Sequence, residues 1–198
     1  ELRRVLFRSE GLAALPPAFA ELGAQGQDAI ALAAHPEAGR IEHLHTVGTS
    51  PSLADGAALL LLGDAAAAEA AGLRPRARVV ACATAAVDPV LMLTAGQAAV
   101  ERAIARAGLT PADIDVFEFA EAFAALCLTF RRDLDAGPDR LNPNGGTIAM
   151  GHAFGATGAI MVGGCVDELE RREGRYGVAA VSGAAGLGVA VVLERVPA

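Results

Sequence analysis

The sequence has 198 residues, of which 53% are hydrophobic and 20% are charged, and its formal net charge is -7. This length is enough for one well-buried domain, or for one domain and part of another, and the composition excludes a disordered chain. The acidic balance, with Lys and Arg scattered along the chain, argues against a nucleic-acid-binding protein.

Cysteine usage and hydropathy point to the cytoplasm. The three cysteines are widely spaced and odd in number, which argues against a disulfide framework and favours a reducing compartment. Cys82 falls in a predicted strand and Cys127 and Cys165 in predicted helices, where the usual role is that of a small buried hydrophobe. The uncharged apolar run 177–193 is shorter than the roughly 20 residues of a membrane helix, and glycines interrupt it. We therefore expect no association with a membrane.

The first nine residues, ELRRVLFRS, differ in composition from the rest of the chain. They are rich in arginine, whereas the remainder is acidic and rich in alanine, and they show no secretory pattern. The first residue is Glu1 and not Met. We expect residues 1–9 to be foreign sequence and the native start to lie upstream.

The part of the chain up to residue 75 has a loosely organised pattern. It predicts a short helix over 12–22 broken by Pro16 and Pro17, a loop-rich segment over 25–40, and a strand over 41–47. The apolar run 57–62 has the composition of a buried strand. Asp64 is placed to cap a helix that Gly72 ends.

From residue 78 onward strands and helices alternate, as is typical of an α/β fold. The predicted elements are strand 78–86, helix 94–107, strand 116–119, helix 121–134, helix 157–172, and strands 176–181 and 189–195. The first half of helix 157–172 is apolar on nearly every side, which predicts that it is buried. The last two strands are joined by SGAAGLG, which predicts an antiparallel hairpin.

One histidine, His152, lies in a glycine-rich stretch, NPNGGTIAMGHAFGATGA, which spans 142–159 and is called the glycine corridor below. Glycines let a ligand approach the main chain closely, so this crowding around one titratable side chain is typical of a substrate site. A helix that begins just behind His152 disfavours the protonated imidazole, and a neutral imidazole can accept a proton from a thiol or hydroxyl. A structural histidine in a glycine-rich turn is the alternative.

Other candidate groups carry weaker signals. The turn SGAAGLG offers successive backbone N–H groups that could hold an oxyanion, but its spacing and its position between two strands do not fit a dinucleotide loop. Ser182 lacks the G-x-S-x-G context of a hydrolase nucleophile. His43 and His45 share a face of the predicted strand without a third metal ligand, so no metal site is predicted. Glu118 and Glu121 are either an acid and a base or, more commonly, solvated caps.

Three motifs in order carry a resemblance to a known family: EFAEAFAAL at 118–126, the glycine corridor, and YGVAAVSGAAGLGVAVVLE at 176–194. With HTVGTSPSLADGAALLLLG and ATAAVDP upstream, they resemble the C-terminal part of a thiolase, either an acetyl-CoA acetyltransferase or a 3-ketoacyl-CoA thiolase. The likeness covers roughly residues 11–196.

The resemblance implies a thiolase-like α/β fold with two similar halves, each with a central mixed β-sheet and helices on both faces, and a loop domain inserted in the first half. Residues 10–75 then correspond to the end of the loop domain and the last part of the first half, and residues 76–198 to the C-terminal domain. The nucleophilic cysteine lies in the first half, which this sequence lacks. We therefore expect a fragment that is inactive alone.

The resemblance also implies roles for individual residues. His152 matches the histidine that activates the nucleophilic cysteine and the CoA thiol, and the amides of the Ser182–Ala184 turn, at Gly183 and Ala184, match an oxyanion hole. Substrate-binding positions are Ser50, Ala120, Phe123, Gly151 and Phe154. Acyl-CoA and CoA are the implied partners, with CoA a substrate and no bound cofactor, and the intact protein is implied to be a homodimer or homotetramer.

Three positions depart from the family pattern. Ala120 replaces an asparagine that positions a water, Ala153 replaces a proline, and Ser182 replaces a second cysteine that acts as acid and base. A serine hydroxyl is a much weaker acid than a thiol, so Claisen condensation should suffer more than 3-ketoacyl-CoA cleavage. A degenerate acyl-CoA-binding or scaffold protein without turnover is the alternative function. An unrelated α/β binding module is the third.

Overall fold

The structure, a computed structural model, describes residues 9–197 and contains a four-stranded sheet. The strands are β1 (Ala77–Ala86), β2 (Val116–Phe119), β3 (Tyr176–Gly183) and β4 (Leu187–Arg195), in the spatial order β1-β4-β3-β2. β2 and β3 are parallel, whereas β4 is antiparallel to both β3 and β1. The predicted mixed sheet with a final antiparallel hairpin is confirmed.

Eight α-helices lie within the described residues: α1 (Ser9–Ala13), α2 (Ala20–Leu22), α3 (Asp28–Ala34), α4 (Ala65–Ala70), α5 (Ala95–Arg106), α6 (Ala124–Leu134), α7 (Thr147–Met150) and α8 (Thr157–Arg171). A π-helical turn, Gly23–Gln27, joins α2 to α3, and 3₁₀ turns span Pro36–Ala38, Pro111–Asp113, Phe154–Ala156 and Ala184–Gly186.

Helices cover both faces of the sheet. α5 packs on one face and α8 on the other, and their buried residues join separate apolar clusters. Every residue of β2 is buried, because successive side chains point alternately to α5 and to α8. Phe117 and Phe119 enter the α5 cluster, whereas Val116 enters the α8 cluster. This arrangement fixes which face each side chain of the candidate site occupies.

Four predictions for the chain up to residue 75 can be compared with the structure, and two of them are confirmed and two are wrong. α1 and α2 flank Pro16 and Pro17, as predicted, and Asp64 Oδ1 accepts a hydrogen bond from Ala67 N at the start of α4. The predicted loop over 25–40 is wrong, because the alanine-rich segment of α3 is helical. The predicted strand over 41–47 is also wrong, since no strand pairs with it within residues 9–197.

The predicted buried strand over 57–62 is wrong as well. The segment has no regular secondary structure, and the Leu59 side chain is 95% exposed. An apolar run predicts burial only if another element covers it, and none of the described residues does so.

Two of the three cysteines are buried, at least in part, as predicted, and one is not. Cys165 is fully buried and Cys127 is partly buried, as predicted for small hydrophobes. Cys82 is exposed on β1, so its predicted burial is wrong. Burial is the main cause that raises the pKa of Cys127 to about 12, and it also raises the pKa of Cys165. Neither of these two thiols is an activated nucleophile.

None of the helices in the part of the chain that the structure describes is both long enough and apolar enough to cross a bilayer.

We expect Gly188→Ala to destabilise the fold, by about 2 kcal/mol, because a Cβ there would lie 2.6 Å from the backbone N of Gly96. Gly163→Ala in α8 is the matched control. An added Cβ there meets nothing within 4 Å, so the better helix propensity of alanine should stabilise the chain by up to about 1 kcal/mol. Urea unfolding of both variants measures the difference, and equal effects would contradict this account of Gly188.

Candidate active site

His152 is held by its backbone and by one ring nitrogen. Its N–H donates to Ser52 O at 2.8 Å, and its carbonyl accepts from Ala54 N at 3.2 Å, which forms a short parallel bridge at Leu53. Nδ1 of the ring lies 2.9 Å from Thr157 Oγ1 in the first turn of α8. Nε2 makes no hydrogen bond to any residue within 9–197 and can therefore face a reacting group.

The Thr157 hydroxyl controls which nitrogen of His152 carries the proton. When the hydroxyl accepts from Nδ1–H, Nε2 is a base, and when it donates to Nδ1, Nε2–H becomes a hydrogen-bond donor. The pair can therefore accept a proton in one step and support an oxyanion in another. Sequence reasoning missed Thr157. The available signal was a hydroxyl side chain five residues after the histidine, at a helix start.

One glycine of the corridor, Gly151, contacts the 46–56 loop closely, whereas the approach of a ligand to the corridor stays a prediction. This residue has φ +92°, and an added Cβ would lie 2.6 Å from Ala54 Cβ. The ring of Phe154 lies 4.7 Å from that of His152, centroid to centroid, and Phe154 is 65% exposed. Gly151 and Phe154 are thus brought to His152, one through the backbone and one through its ring.

Glu121 ties the end of β2 to the glycine corridor. Its carboxylate accepts from Asn142 Nδ2 at 2.8 Å and from Ile148 N at 3.0 Å, and a Cβ added at Gly146 would collide with it. Asn142 also pairs with the backbone of Phe119, accepting from its N–H and donating to its carbonyl. The interpretation of Glu121 as a solvated cap is therefore wrong, because its oxygens are occupied by protein donors.

Glu118 is not a solvated cap either. The residue is 6% exposed on the α8 face of β2, beside a cleft, and no hydrogen bond joins its side chain to another residue in the described part of the chain. Burial is the main cause that raises its pKa to about 7, and the charges of Glu121 and Glu168 add to the effect. Glu118 is therefore a carboxyl group that changes charge near neutral pH.

Ser182 faces α5, which packs on one face of the sheet. Its Oγ is buried and accepts a hydrogen bond of 3.0 Å from Gly96 N, at the start of α5. His152, by contrast, precedes α8 on the other face. No hydrogen bond joins Ser182 to His152 within residues 9–197, so the structure does not link these two candidates directly.

The turn after Ser182 and the residue after β2 occupy the same edge of the sheet. Gly183 is the last residue of β3 and Ala184 follows it, whereas Ala120 follows the parallel β2, where its N–H donates to Ala180 O at 3.0 Å. α8 runs back from this edge, which places its N-terminus there too. Ala120 is 4% exposed and packs against Met161 of α8.

The remaining substrate-binding candidates lie in and beside the 46–56 loop. Ser50 Oγ is buried without a hydrogen-bond partner among the described residues. Phe123 precedes α6, and the next residue, Ala124, donates its N–H to Thr49 O at 2.9 Å. The Phe123 ring packs against Phe19 and His45, with centroids 5.6 and 4.5 Å away.

The two histidines considered as metal ligands have other roles. No strand forms there, so the shared strand face is wrong. His43 Nε2 lies 3.0 Å from Asp28 Oδ2, whereas the His45 ring packs on Phe123 and burial lowers its pKa. Within residues 9–197 no group of three or more His, Cys, Asp or Glu side chains is arranged to hold a metal ion.

Comparison with known proteins identifies the family. The model of the thiolase C-terminal domain matches residues 73–195. The chain belongs to the thiolase family. It is 45% identical over 153 residues to the 3-oxoadipyl-CoA/3-oxo-5,6-dehydrosuberyl-CoA thiolase of Escherichia coli K12, covering 76% of this chain and 38% of that protein. It is 39% identical over 150 residues to the acetyl-CoA acetyltransferase of Allochromatium vinosum, with the same coverage.

The thiolase fold is confirmed by a solved structure. The crystal structure of the Bacillus anthracis acetyl-CoA acetyltransferase superposes with a TM-score of 0.80 at 32% identity, covering 96% of this chain and 43% of that one. The chain therefore spans about two-fifths of the length of the thiolases it matches.

We expect the stability of the chain to fall between pH 4.5 and about 7 because of Glu118. A carboxyl group whose pKa is raised on folding stabilises the folded state while it stays protonated, and that contribution is lost as the pH rises to the folded pKa of about 7. The loss is on the order of 3 kcal/mol at most. Glu118→Gln should flatten this part of the profile in urea unfolding at pH 5 and pH 8. A variant that keeps the wild-type slope would show that Glu118 does not cause it.

Proposed function

We propose that the full-length protein is an acyl-CoA acyltransferase that cleaves 3-ketoacyl-CoA thiolytically. The observation that carries this proposal is His152, with Nδ1 held by Thr157 and Nε2 directed away from the protein's own hydrogen bonds. Family membership supports the same chemistry, because relatives are named 3-oxoadipyl-CoA thiolase and acetyl-CoA acetyltransferase.

In this mechanism His152 Nε2 takes the proton of a cysteine thiol, and the thiolate attacks the 3-keto carbon. The nucleophile would be a cysteine outside these 198 residues, as membership of the thiolase family implies. Burial keeps Cys127 and Cys165 protonated, and Cys82 lies on β1, at the opposite edge of the sheet from β2. The bond between C2 and C3 then breaks, which leaves an acyl-enzyme and the enolate of acetyl-CoA. The enolate takes up a proton to replace the one that His152 removed from the thiol and leaves as acetyl-CoA, and His152 gives up its proton and is again a base. In the second half His152 takes the proton of the CoA thiol, whose sulfur attacks the acyl-enzyme and releases the shortened acyl-CoA.

Ser182 and the two residues after it complete the proposed site. Gly183 and Ala184 would offer backbone N–H donors to the thioester oxygen, which do not depend on side-chain identity. Ser182 accepts from Gly96 N and keeps its own O–H as a donor. Protonating an enolate requires only a weak acid, whereas removing a proton from the α-carbon of acetyl-CoA requires a strong base. Condensation should therefore suffer more than cleavage.

A second function, acyl-CoA binding without turnover, is favoured by a specific observation. The Ser182 hydroxyl already serves as a hydrogen-bond acceptor at the start of α5, and Ala120 has no side-chain group to position a water. A protein of this kind would keep its affinity for acyl-CoA while lacking CoA-dependent cleavage. Substrate binding in that case would rest on Ser50, Phe123, Gly151 and Phe154.

CoA is a substrate in the first function and part of the bound acyl-CoA in the second, and no bound cofactor is proposed. We also propose a homodimer or homotetramer located in the cytoplasm, with acyl-CoA and CoA as its small-molecule partners. Membership of the thiolase family supports the substrates most directly. Light scattering after size-exclusion chromatography measures the assembly.

We expect His152→Ala to lower CoA-dependent cleavage of acetoacetyl-CoA by the full-length protein at least about 100-fold, because it removes the acid–base group. Thr157→Ser keeps a hydroxyl beside Nδ1 and should retain most of the activity. The loss of absorbance of the acetoacetyl-CoA enolate measures the rate. If wild type shows no cleavage but binds acyl-CoA in calorimetry, the protein has the second function. If His152→Ala remains fully active, the proposed role of His152 is wrong.

We expect Ser182→Cys to raise acetyl-CoA condensation by about tenfold or more, because a thiol is the stronger acid and the N–H of Gly96 would stabilise its thiolate. Cleavage should change less. Coupled assays of both directions on the same preparation measure the ratio. Efficient condensation by the wild type would contradict the role given to Ser182.

A further inference from the structure

A cleft lies between the glycine corridor, the start of α8 and the end of β2. Its empty space is about 600 Å³, including the part open to solvent. Its walls are mainly apolar, from Phe119, Met150, Ile160 and Met161, whereas its polar groups include Glu118 and Thr147. Thr157 also lines this cleft.

Two buried polar groups in the cleft have no partner within residues 9–197. Thr147 is 5% exposed, and its Oγ1 makes no hydrogen bond. The Glu118 side chain, 6% exposed, accepts no hydrogen bond from a described residue, although its oxygens are not among the fully buried polar atoms. Asn142 cannot serve them, because its side-chain oxygen and nitrogen are committed to Phe119 and Glu121. Buried groups of this kind are normally satisfied, so the cleft is built to hold something that hydrogen-bonds.

Water fits these requirements. A buried water needs two to four polar partners, and each water molecule takes about 30 Å³ in the liquid. The cleft offers the Glu118 carboxyl and the hydroxyls of Thr147 and Thr157, and its volume is many times that of one molecule.

We propose that water in this cleft connects the Glu118 carboxylate to the Thr157 hydroxyl and so to Nδ1 of His152, which makes Glu118 the acceptor of the proton that His152 takes up. This relay rests on the proposed function, because it serves the proton transfers at His152. Glu118 acts through His152 and is therefore a positioning residue.

The transfer balances without a further reactant. Nε2 of His152 gains the proton of the thiol, and the Nδ1 proton passes to Thr157 Oγ1. The hydroxyl proton of Thr157 passes to water, and a water proton passes to the Glu118 carboxylate. His152 is left neutral with its proton on Nε2, which is the form that donates a hydrogen bond to an oxyanion.

The groups around Glu118 match this role. Glu121 is on the adjoining segment and Glu168 on α8, and both raise the pKa of Glu118, to about 7 together with burial. Cys165 of α8 stays protonated, and Asp55 lines the cleft from the 46–56 loop. The nearest cations on α8 are committed to Glu168, which accepts from Arg171 and from Arg172 just after the helix. Glu118 can therefore be ionised before transfer and protonated after it at neutral pH.

The test is the pH dependence of thiolysis by the full-length protein. Wild-type kcat/KM should rise through a transition near pH 7 as Glu118 ionises. Glu118→Gln should match the wild type near pH 6, lack that transition, and be about tenfold slower at pH 8, a smaller loss than direct acid–base catalysis gives. Thr147→Val should shift the profile in the same direction by a smaller factor. Glu69→Gln, an exposed carboxylate in α4, is the matched control and should keep the wild-type profile.

The outcomes separate the relay from the function. If Glu118→Gln keeps the wild-type profile while His152→Ala is inactive, the relay is wrong and the acyltransferase function stands. If His152→Ala is active, the function itself is wrong. If Glu118→Gln fails to fold by circular dichroism, Thr147→Val decides, and an unchanged profile for that variant overturns the relay.

Discussion

The candidate site depends on how the open edge of β2 is satisfied. β2 is the last strand of the sheet, and its outer backbone groups need partners. Segment 140–142 supplies them: Phe117 N donates to Arg140 O, and Phe117 O accepts from Asn142 N. The Asn142 side chain then continues the ladder at Phe119. The glycine corridor begins at Asn142, so the pairing at this edge determines the position of the corridor and of His152.

The pKa values of two nearby glutamates, Glu118 and Glu168, are shifted in opposite directions. Glu168 is 1% exposed, but Arg171, Asn144 and Arg172 donate to it, and its pKa is lowered, chiefly by the hydrogen bonds from Arg171. Glu118 has no such donor and its pKa is raised. A buried carboxylate that is fully paired stays charged and acts structurally, whereas an unpaired one can exchange protons near pH 7. Both side chains have little exposed surface, but burial is the main cause for Glu118 and the donors around Glu168 are the main cause for that residue.

The sequence predicted the elements that are fixed by local pattern and missed those that depend on contacts. The final hairpin follows from hydrophobic periodicity and its turn, whereas the mixed sheet was implied by the resemblance to thiolases. The burial predicted for the first half of α8 is only partial, since Ile160 is 36% exposed. Gly151 and His152 were singled out by the glycine corridor and stay candidate site residues. The partner of His152, Thr157, and the isolation of Glu118 depend on which side chains meet across segments, which a single sequence does not encode directly. The prediction of a buried strand over 57–62 was wrong for the same reason. The apolar composition of this run predicts burial, but it does not show which element would cover Leu59.

The resemblance to thiolases implies that Ser182 replaces a cysteine, and the backbone around position 182 bears on that proposal. The N–H of Gly96 points at Oγ of Ser182 from the first turn of α5, and a Cβ at Gly96 would collide with that oxygen. A helix N-terminus stabilises negative charge, so the same donor would serve a thiolate at this position as well as it serves the serine. The backbone is therefore arranged for an anion, whereas the serine side chain is reluctant to form one. The role of the Gly96 N–H therefore distinguishes the two proposed functions. If it supports proton transfer at position 182, a slow acyltransferase is favoured. If it serves only packing, an acyl-CoA-binding protein is favoured.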